Sequence, residues 1–437
     1  MTERFRQHLE SGLNFLQNQK LLIAVSGGLD SVVLAHLCHD LKLDFAIAHC
    51  NFNLRDSESD ADEAFVKALA ENWNVKLHFK SFETEAYASE KMISIQMAAR
   101  ELRYAWFQKL AEKHHFDYIL TAHHADDNLE TFLINLIRGT GLEGLTGIPE
   151  VSGKIVRPLL PFSREELEVF AKQSHLEWRE DSSNASNKYV RNKLRHDVIP
   201  ELKDINPKLL HNFQTTIANL QDSENLIEDA VVKLQKKVAQ VEENVIKLNI
   251  RKLKKRSNPK AYLYQLLKDF NFTAWDDVVN LLDAQPGKQV FSSTHRLLKD
   301  REFLLLSELG NDEDEERITH ILKYDTKIET PAGHLHIEPV EAISDISRKI
   351  IYVDADQLKY PLTVRKWHEG DLFFPFGMQG KKKLSKYFKD EKLSLYDKES
   401  AWVLCSEQNI VWVIGRRADD RFKITETTEH ILKIKIH

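Results

Sequence analysis

Ser26-Gly27-Gly28-Leu29-Asp30-Ser31 stands between the apolar run Leu21–Val25 and the apolar-periodic stretch Val32–Leu41. A strand, a glycine turn and a helix N-terminus are expected in that order. Two adjacent glycines let the backbone bend tightly and turn its N–H groups toward an anion. The unpaired amides and dipole of the following helix add positive potential. The pattern is a phosphate cradle. A Walker A loop would need four residues between its glycines and a lysine before the Ser/Thr, whereas this loop ends in Asp30 and Ser31. An aspartate there suits metal-bound phosphate. The plainer reading, a βα turn whose glycines serve packing alone, is disfavoured because strand, loop and helix fall in register.

The second chemistry-bearing stretch is Ala122-His123-His124-Ala125-Asp126-Asp127-Asn128-Leu129-Glu130-Thr131, at the junction of the strand Tyr118–Thr121 and a helix. With Asp126 as the expected N-cap, Asp127 and Glu130 fall on neighbouring helical positions, so both carboxylates are expected to face one cavity. Two anions together suit a metal or an amine. The rival reading is that they only complement the helix dipole. Adjacent strand residues point to opposite faces, so His123 and His124 are not expected to ligate one ion, and one of them is expected to be packed.

The elements that position these motifs read as parallel β/α. Apolar runs recur at Phe45–Ala48, Val75–Phe79 and Tyr118–Leu120, separated by helical patterns at Ser59–Trp73 and Ile95–His114. Both motifs then lie at strand C-termini, where an open α/β sheet binds its ligands. From about Asn206 the pattern changes to long amphipathic helices, closing with a β-rich stretch around Val290 and Arg296–Leu306. An acidic segment, Asp312-Glu313-Asp314-Glu315-Glu316, reads as linker. Short strand-like runs follow at Leu335–Pro339, Ile350–Val353, Leu362–Val364, Ala401–Leu404 and Ile410–Ile414. The expected organisation is an α/β parallel-sheet catalytic domain over 1–205, a mainly helical domain over 206–310, a linker region over 311–340 and a small β-rich domain over 341–437.

A length of 437 residues agrees with several cores. No uninterrupted apolar run approaches the roughly 20 residues that a membrane span needs. The first residues lack an apolar signal segment, so the cytoplasm is expected. The three cysteines, Cys38, Cys50 and Cys405, have no spacing suited to a disulfide framework, a zinc knuckle or an iron–sulfur site, and are expected to be reduced thiols. The net charge is −6, which excludes a uniformly basic nucleic-acid binder. Local basic patches stand out against it at Arg251–Arg256 and at Lys381-Lys382-Lys383 with Lys386, Lys389 and Lys392. For either patch alone, a solvated face is as good a reading as a phosphate contact.

The Ser26–Ser31 loop resembles the PP-loop of the N-type ATP pyrophosphatases, which cleave ATP between the α- and β-phosphates to adenylate an oxygen. Further stretches carry a more specific resemblance: Ala98-Ala99-Arg100 with Arg103-Tyr104, His123–Thr131, the glycine-rich Arg138–Pro149, Arg157-Pro158-Leu159-Leu160, Asp181-Ser182-Ser183-Asn184, and Tyr189-Val190-Arg191-Asn192-Lys193-Leu194-Arg195. Together they resemble the tRNA(Ile)-lysidine synthetases, which attach lysine to the wobble cytidine of an isoleucine tRNA. The resemblance is dense to about Pro200 and thinner beyond. Val364-Arg365, Gly370-Asp371, Phe374–Gly377 and Lys383–Phe388 resemble the family's C-terminal domain. Leu393–Ser400 departs from it, where the family commonly has a Trp/Pro-containing stretch and an arginine.

The resemblance implies ATP as co-substrate, Mg2+, L-lysine and a tRNA(Ile) with a CAU anticodon, and no membrane or obligatory protein partner. AMP is transferred to the cytidine O2, converting a poor leaving group into a good one that the lysine ε-amine displaces. Ser26, Gly27, Gly28, Leu29, Asp30 and Ser31 are then expected to bind ATP, with Asp30 helping to hold magnesium. Asp30, Asp127 and Glu130 are the expected catalytic residues, the last two orienting the ammonium or taking its proton. Arg100, Arg103, Arg191, Arg195, Lys383 and Lys386 are the expected tRNA or phosphate contacts. Three rivals separate cleanly from this reading. A PP-loop tRNA thiolase needs reactive cysteines or a cluster. A metal-dependent phosphohydrolase leaves the glycine loop unexplained and needs no ATP, and a non-catalytic RNA binder consumes none.

Overall fold

The computed structural model describes residues 1–54, 57–179, 190–242, 244–309 and 318–437. Asp181–Asn184, Tyr189 and the acidic segment Asp312–Glu316 lie outside the described residues. The chain divides into two compact units, Met1–Glu228 and Asp229–His437.

In the first unit the strands are β1 (Leu21–Ala24), β2 (Phe45–Asn51), β3 (Leu77–Ser81), β4 (Tyr118–Leu120), β5 (Val151–Ser152) and β6 (Ile155–Val156). Their order in the sheet is β3-β2-β1-β4-β6-β5, parallel throughout except for the β5–β6 pair. The helices include α1 (Thr2–Gly12), α2 (Leu29–Asp40), α3 (Ser57–Asn72), α4 (Thr84–Lys91), α5 (Ile95–His114), α6 (Ala125–Arg138), α7 (Leu142–Leu145), α8 (Arg164–Gln173) and α9 (Val190–Lys193), followed by Ile199–Ile205 and by Leu209–Val238, the long helix expected from about Asn206. Helices cover both faces of the sheet, which is why β1 and β2 read as continuous apolar runs rather than alternating ones. One core joins Phe5 and Leu9 of α1 and its C-cap Leu13, Val33 and Leu37 of α2, and Leu167 and Phe170 of α8. The other gathers Trp106, Phe107 and Leu110 of α5 with Leu22, Ala46 and Phe82. Each such buried side chain contributes about 1.5–3 kcal/mol, so the strand C-termini are held by packing on both sides.

The second unit begins with a five-stranded antiparallel sheet in the order Ala239–Glu242, Val245–Asn249, Phe303–Glu308, His295–Asp300, Gln289–Phe291. Gln289–Phe291, His295–Asp300 and Phe303–Glu308 match the β-rich stretch expected around Val290 and Arg296–Leu306; the strands Ala239–Glu242 and Val245–Asn249 were not expected. Short helices Ile250–Lys254, Pro259–Leu267 and Trp275–Asn280 join it around Leu253, Leu263, Leu297 and Leu304. Beyond residue 318, a five-stranded sheet that includes Leu362–Lys366, Trp402–Ser406 and Asn409–Val413 shares a core with a four-stranded sheet that includes Gly333–Val340, Ile350–Asp354 and Ile431–Ile436. All five strand-like runs expected there are strands.

Candidate active site

The chain runs outward from β1 to β3 and then returns to place β4 on the other side of β1. That reversal opens a crevice at the C-terminal ends of β1 and β4, the position where doubly wound sheets bind ligands. The glycine loop leaves β1 and the His123–Thr131 stretch leaves β4, so both motifs meet there.

Gly27 has φ +94, a left-handed backbone open to glycine and strained for other residues. Gly28 caps α2. The loop is braced by its own serines: Ser31 Oγ donates to Gly28 O at 2.9 Å and accepts from Ser26 N at 3.1 Å. Arg179 N donates to Gly27 O at 2.9 Å, tying the turn down from outside. Asp30 opens α2 beside this loop. Both of its oxygens accept from Arg164 Nη1, at 2.9 and 3.2 Å, and His124 Nε2 lies 3.6 Å away. Burial pushes the Asp30 carboxyl up, but the adjacent His124 and the charges of Arg164 and Arg195 outweigh it and hold the group below the usual carboxylate range.

The cap of α6 corrects the sequence expectation: His124, not Asp126, is the N-cap. Its Nδ1 accepts from Asp127 N at 3.4 Å while its own N–H donates to Asp127 Oδ2 at 3.1 Å. The helix therefore starts two residues earlier, and Asp127, three residues past the cap, closes a reciprocal box. Asp126 is instead held by Lys203 at 2.6 Å and by Arg164 N at 2.8 Å. Burial works against a charged His124, yet Asp127, Asp30 and Asp126 around it raise its pKa above the ordinary value. His123 is the opposite case, pushed down by burial to about 4 and so neutral near pH 7.

Asp127 and Glu130 converge, though on a protein cation. Arg195 donates from Nε to Glu130 Oε1 at 2.6 Å, and from Nη2 to Glu130 Oε2 at 3.0 Å and Asp127 Oδ1 at 3.2 Å. Arg191 Nε adds a second contact to Glu130 at 3.4 Å and Arg191 Nη2 donates to Thr131 Oγ1 at 3.1 Å. Burial, helped by Asp127, pushes the Glu130 carboxyl up against these arginines. Arg195 is thus engaged by both acids of α6, which are buried and require a partner, while Arg191 reaches α6 and also lines the cavity of the glycine loop.

The expectation that the two carboxylates face one cavity is also corrected. Asp127 lines a cavity of about 260 Å³ with Ser26, Gly28, Asp30, Ser31, Arg103 and Arg191. Glu130, one turn along α6, lines a different one of about 370 Å³ with His124, Arg164, Arg195 and Lys203. Arg195 touches both carboxylates and so bridges the two. Arg100 lines a third, of about 830 Å³, which shares Ser26, Phe52, Arg103 and Arg191 with the first. Leu29 is buried and packs into the core, serving the loop without facing a cavity.

Arg164 is the site residue that sequence reasoning missed. Its neighbours Ser163 and Glu166 form a capping box that marks the start of α8, but nothing local foretells that its side chain reaches Asp30, 134 residues away. The glycine-rich stretch has a packing reason. A Cβ on Gly147 would meet Asn128 Oδ1 at 2.3 Å, because Asn128 of α6 accepts from Ile148 N at 2.7 Å.

In the second unit, Lys383 caps the helix Leu384–Asp390, and Lys381, Lys383 and Lys386 are exposed. Lys382 is paired with Asp390 at 2.7 Å. Tyr387 and Phe388, beside these lysines in sequence, are buried in the core with Phe373 and Val403.

Family models match three stretches: the PP-loop domain over residues 1–202, the TilS substrate binding domain over 240–309 and the TilS substrate C-terminal domain over 362–435. The chain is 41% identical over 438 residues to a tRNA(Ile)-lysidine synthase of Parabacteroides distasonis, covering 99% of each. It is 40% identical over 436 residues to that of Bacteroides thetaiotaomicron, again covering 99% of each. The corresponding enzyme of Clostridium acetobutylicum is 30% identical over 458 residues, covering 98% of this chain and 97% of its own. Among the described residues no helix is long and apolar enough to cross a membrane.

Proposed function

The chain belongs to the tRNA(Ile)-lysidine synthase family, and from that premise we propose how its residues divide the labour of ligating L-lysine to C2 of the wobble cytidine in the CAU anticodon of tRNA(Ile). The observation that carries the proposal is the meeting, at one strand-order reversal, of a glycine loop and a buried acidic helix start joined by His124. In the first half-reaction the amides of Ser26–Ser31 and the N-terminus of α2 hold the polyphosphate of ATP. The apolar wall of Ala24, Ala48 and Phe107 lines the same cavity and suits the purine. Charge developing on the departing pyrophosphate is met by fixed dipoles and by Arg103 and Arg191, which need little reorganisation.

The residues also fit a magnesium ion carried by ATP. Asp30 offers acceptor-only oxygens to the cavity. Among the described residues there is no group of three ligating side chains, so phosphate and water oxygens would complete the shell. Such an ion, held by Asp30, supplies charge neutralisation at the phosphates.

In the second half-reaction the lysine ε-ammonium meets Asp127, which sits in the cavity with the adenylated base, and loses a proton before attack on C2. Glu130, lining the neighbouring cavity, holds Arg195 and so sets the charge on Asp127 from behind. The region 206–310 and the C-terminal β-rich region, which takes in the strands from Thr319 onward inside the expected linker, hold the tRNA body, with Lys383 and Lys386 on its phosphates. The test is incubation with tRNA, ATP, magnesium and labelled lysine. Label in the tRNA with equimolar AMP and pyrophosphate is expected; ATP-independent hydrolysis, or no label, would reject the proposal.

A further inference from the structure

The third cavity, about 830 Å³, is large enough for more than the ATP site beside it requires. Its lining has two chemistries. One is apolar and unusually exposed: Ile95 and Met97, on the first turn of α5, are 43% and 53% exposed and contribute to no core. The other is cationic: Arg100, Arg103, Arg138 and Arg191 all line it. The acid among its described lining residues, Asp62, is bound by Arg179 at 3.1 Å, and Arg191 is drawn to Glu130 at 3.4 Å, so the cavity's positive charge is carried mainly by Arg100, Arg103 and Arg138.

Four guanidinium groups repel a free lysine. The polyphosphate of ATP has its cradle of amides in the neighbouring cavity. What remains is a ligand with a flat apolar face and an anionic backbone: an unstacked nucleotide of a single strand. The wall shared by the two cavities, including Ser26, Phe52, Arg103 and Arg191, means that a strand with one residue in the reaction cavity places the next in this one. Arg103 already lies over the Phe52 ring, 5.2 Å from its centre, giving a flat cationic plane at the boundary.

We propose that this cavity is the subsite for a nucleotide flanking the reacting cytidine, its base seated on Ile95 and Met97 and its phosphates held by Arg100, Arg138 and Arg191. The subsite rests on the tRNA reading above. Recognition there is by stacking and charge, so it selects for a base that has left the helical stack, which commits the enzyme to an open loop rather than a duplex.

The experiment measures the catalytic efficiency of AMP transfer to tRNA for wild type and for the Ile95→Ala/Met97→Ala double variant. Three substrates are used: intact tRNA and two tRNAs lacking the base immediately 5′ or 3′ of the reacting cytidine. Both side chains are solvent-exposed, so truncation leaves the cores intact. Wild type is expected to lose about tenfold on one of the two abasic tRNAs. The double variant is expected to lose about as much on intact tRNA and nothing further on that abasic one, with an unchanged KM for ATP. Wild-type discrimination retained by the double variant, or no discrimination by wild type, would overturn the subsite. Failure of wild type to transfer AMP to intact tRNA would instead overturn the function it rests on.

Discussion

The crevice beyond β1 and β4 and the lysine-rich helix Leu384–Asp390 carry charge in opposite ways. In the crevice, Asp30, Asp126, Asp127 and Glu130 are partly or wholly buried, and each is held by a cation contributed from far along the chain. On the C-terminal helix, Lys383 and Lys386 stand in solvent while the aromatic pair beside them is buried. Buried, crosslinked charge is preorganised and acts on a reacting atom at short range. Exposed lysines act by counterion release, additively and with strong salt dependence. The comparison teaches that a substitution in the crevice stops a step, whereas one on the helix tunes an affinity.

The largest expected effect follows from Asp30→Ala. The change removes a carboxylate at the phosphate cradle and leaves Arg164 and His124 without their shared partner, so AMP formation is expected to fall by at least about 100-fold while the fold persists. Near-normal pyrophosphate release by a folded variant would break the assignment.

Next are Asp127→Asn and Glu130→Gln. Both are expected to slow use of lysine by about tenfold or more beyond any effect on tRNA adenylation. Glu130→Gln also leaves Arg195 without a full counter-charge and is expected to destabilise the first unit by about 3 kcal/mol in denaturant melts. A variant as stable as wild type would mean that the Arg195 fork is not a structural tie.

Replacing Lys381, Lys382, Lys383 and Lys386 together by Ala is expected to flatten the slope of log affinity for tRNA against log salt by about 3, because Lys382 is already engaged by Asp390. ATP binding should not change. Parallel lines of equal intercept would restore the solvated-face reading.

The smallest expected effect is a stability change away from either region. Arg365 grips Asp371 with two 2.9 Å bonds. Burial raises the Asp371 carboxyl, but this fork and the His368 N–H hold it below the usual range. A depressed carboxyl stabilises the fold above its unfolded pKa of about 3.9 and loses that contribution as pH falls. Asp371→Asn should therefore cost about 2 kcal/mol at pH 7, with the gap to wild type closing below about pH 4. A gap constant down to pH 3 would show that the pair is not the source.

Much of this was legible in the chain because period and punctuation are local. The run Leu21–Val25, the paired glycines and the apolar rhythm after them give strand, turn and helix, and Ile95–His114 is a helix over the bounds expected. What was hidden depends on side-chain reach across the fold. Nothing near Arg164 or Arg195 in sequence says that one meets Asp30 and the other Glu130. The preference of aspartate for N-caps pointed to Asp126, whereas tertiary demand from Lys203 and Arg164 N turned that side chain elsewhere and left His124 the cap. Tyr387 and Phe388 stand beside the lysines in sequence, and spacing alone does not tell a stacking aromatic from a core one; both are core. Leu393–Ser400, where the chain departs from its family, is a capped helical turn in which Leu395 and Tyr396 pack on Val245, Leu298 and Leu305 and Glu399 pairs with Arg296 at 2.6 Å.

The central claim is that the glycine loop and the acidic helix start serve successive half-reactions. The most direct measurement follows pyrophosphate release and AMP release separately in the Asp127→Asn variant, first with tRNA and ATP alone and then after lysine is added. The account expects adenylated tRNA to accumulate with near-normal pyrophosphate release and its AMP to stay bound to the tRNA when lysine arrives. Equal loss of pyrophosphate and AMP release would contradict it and assign Asp127 to the phosphate step.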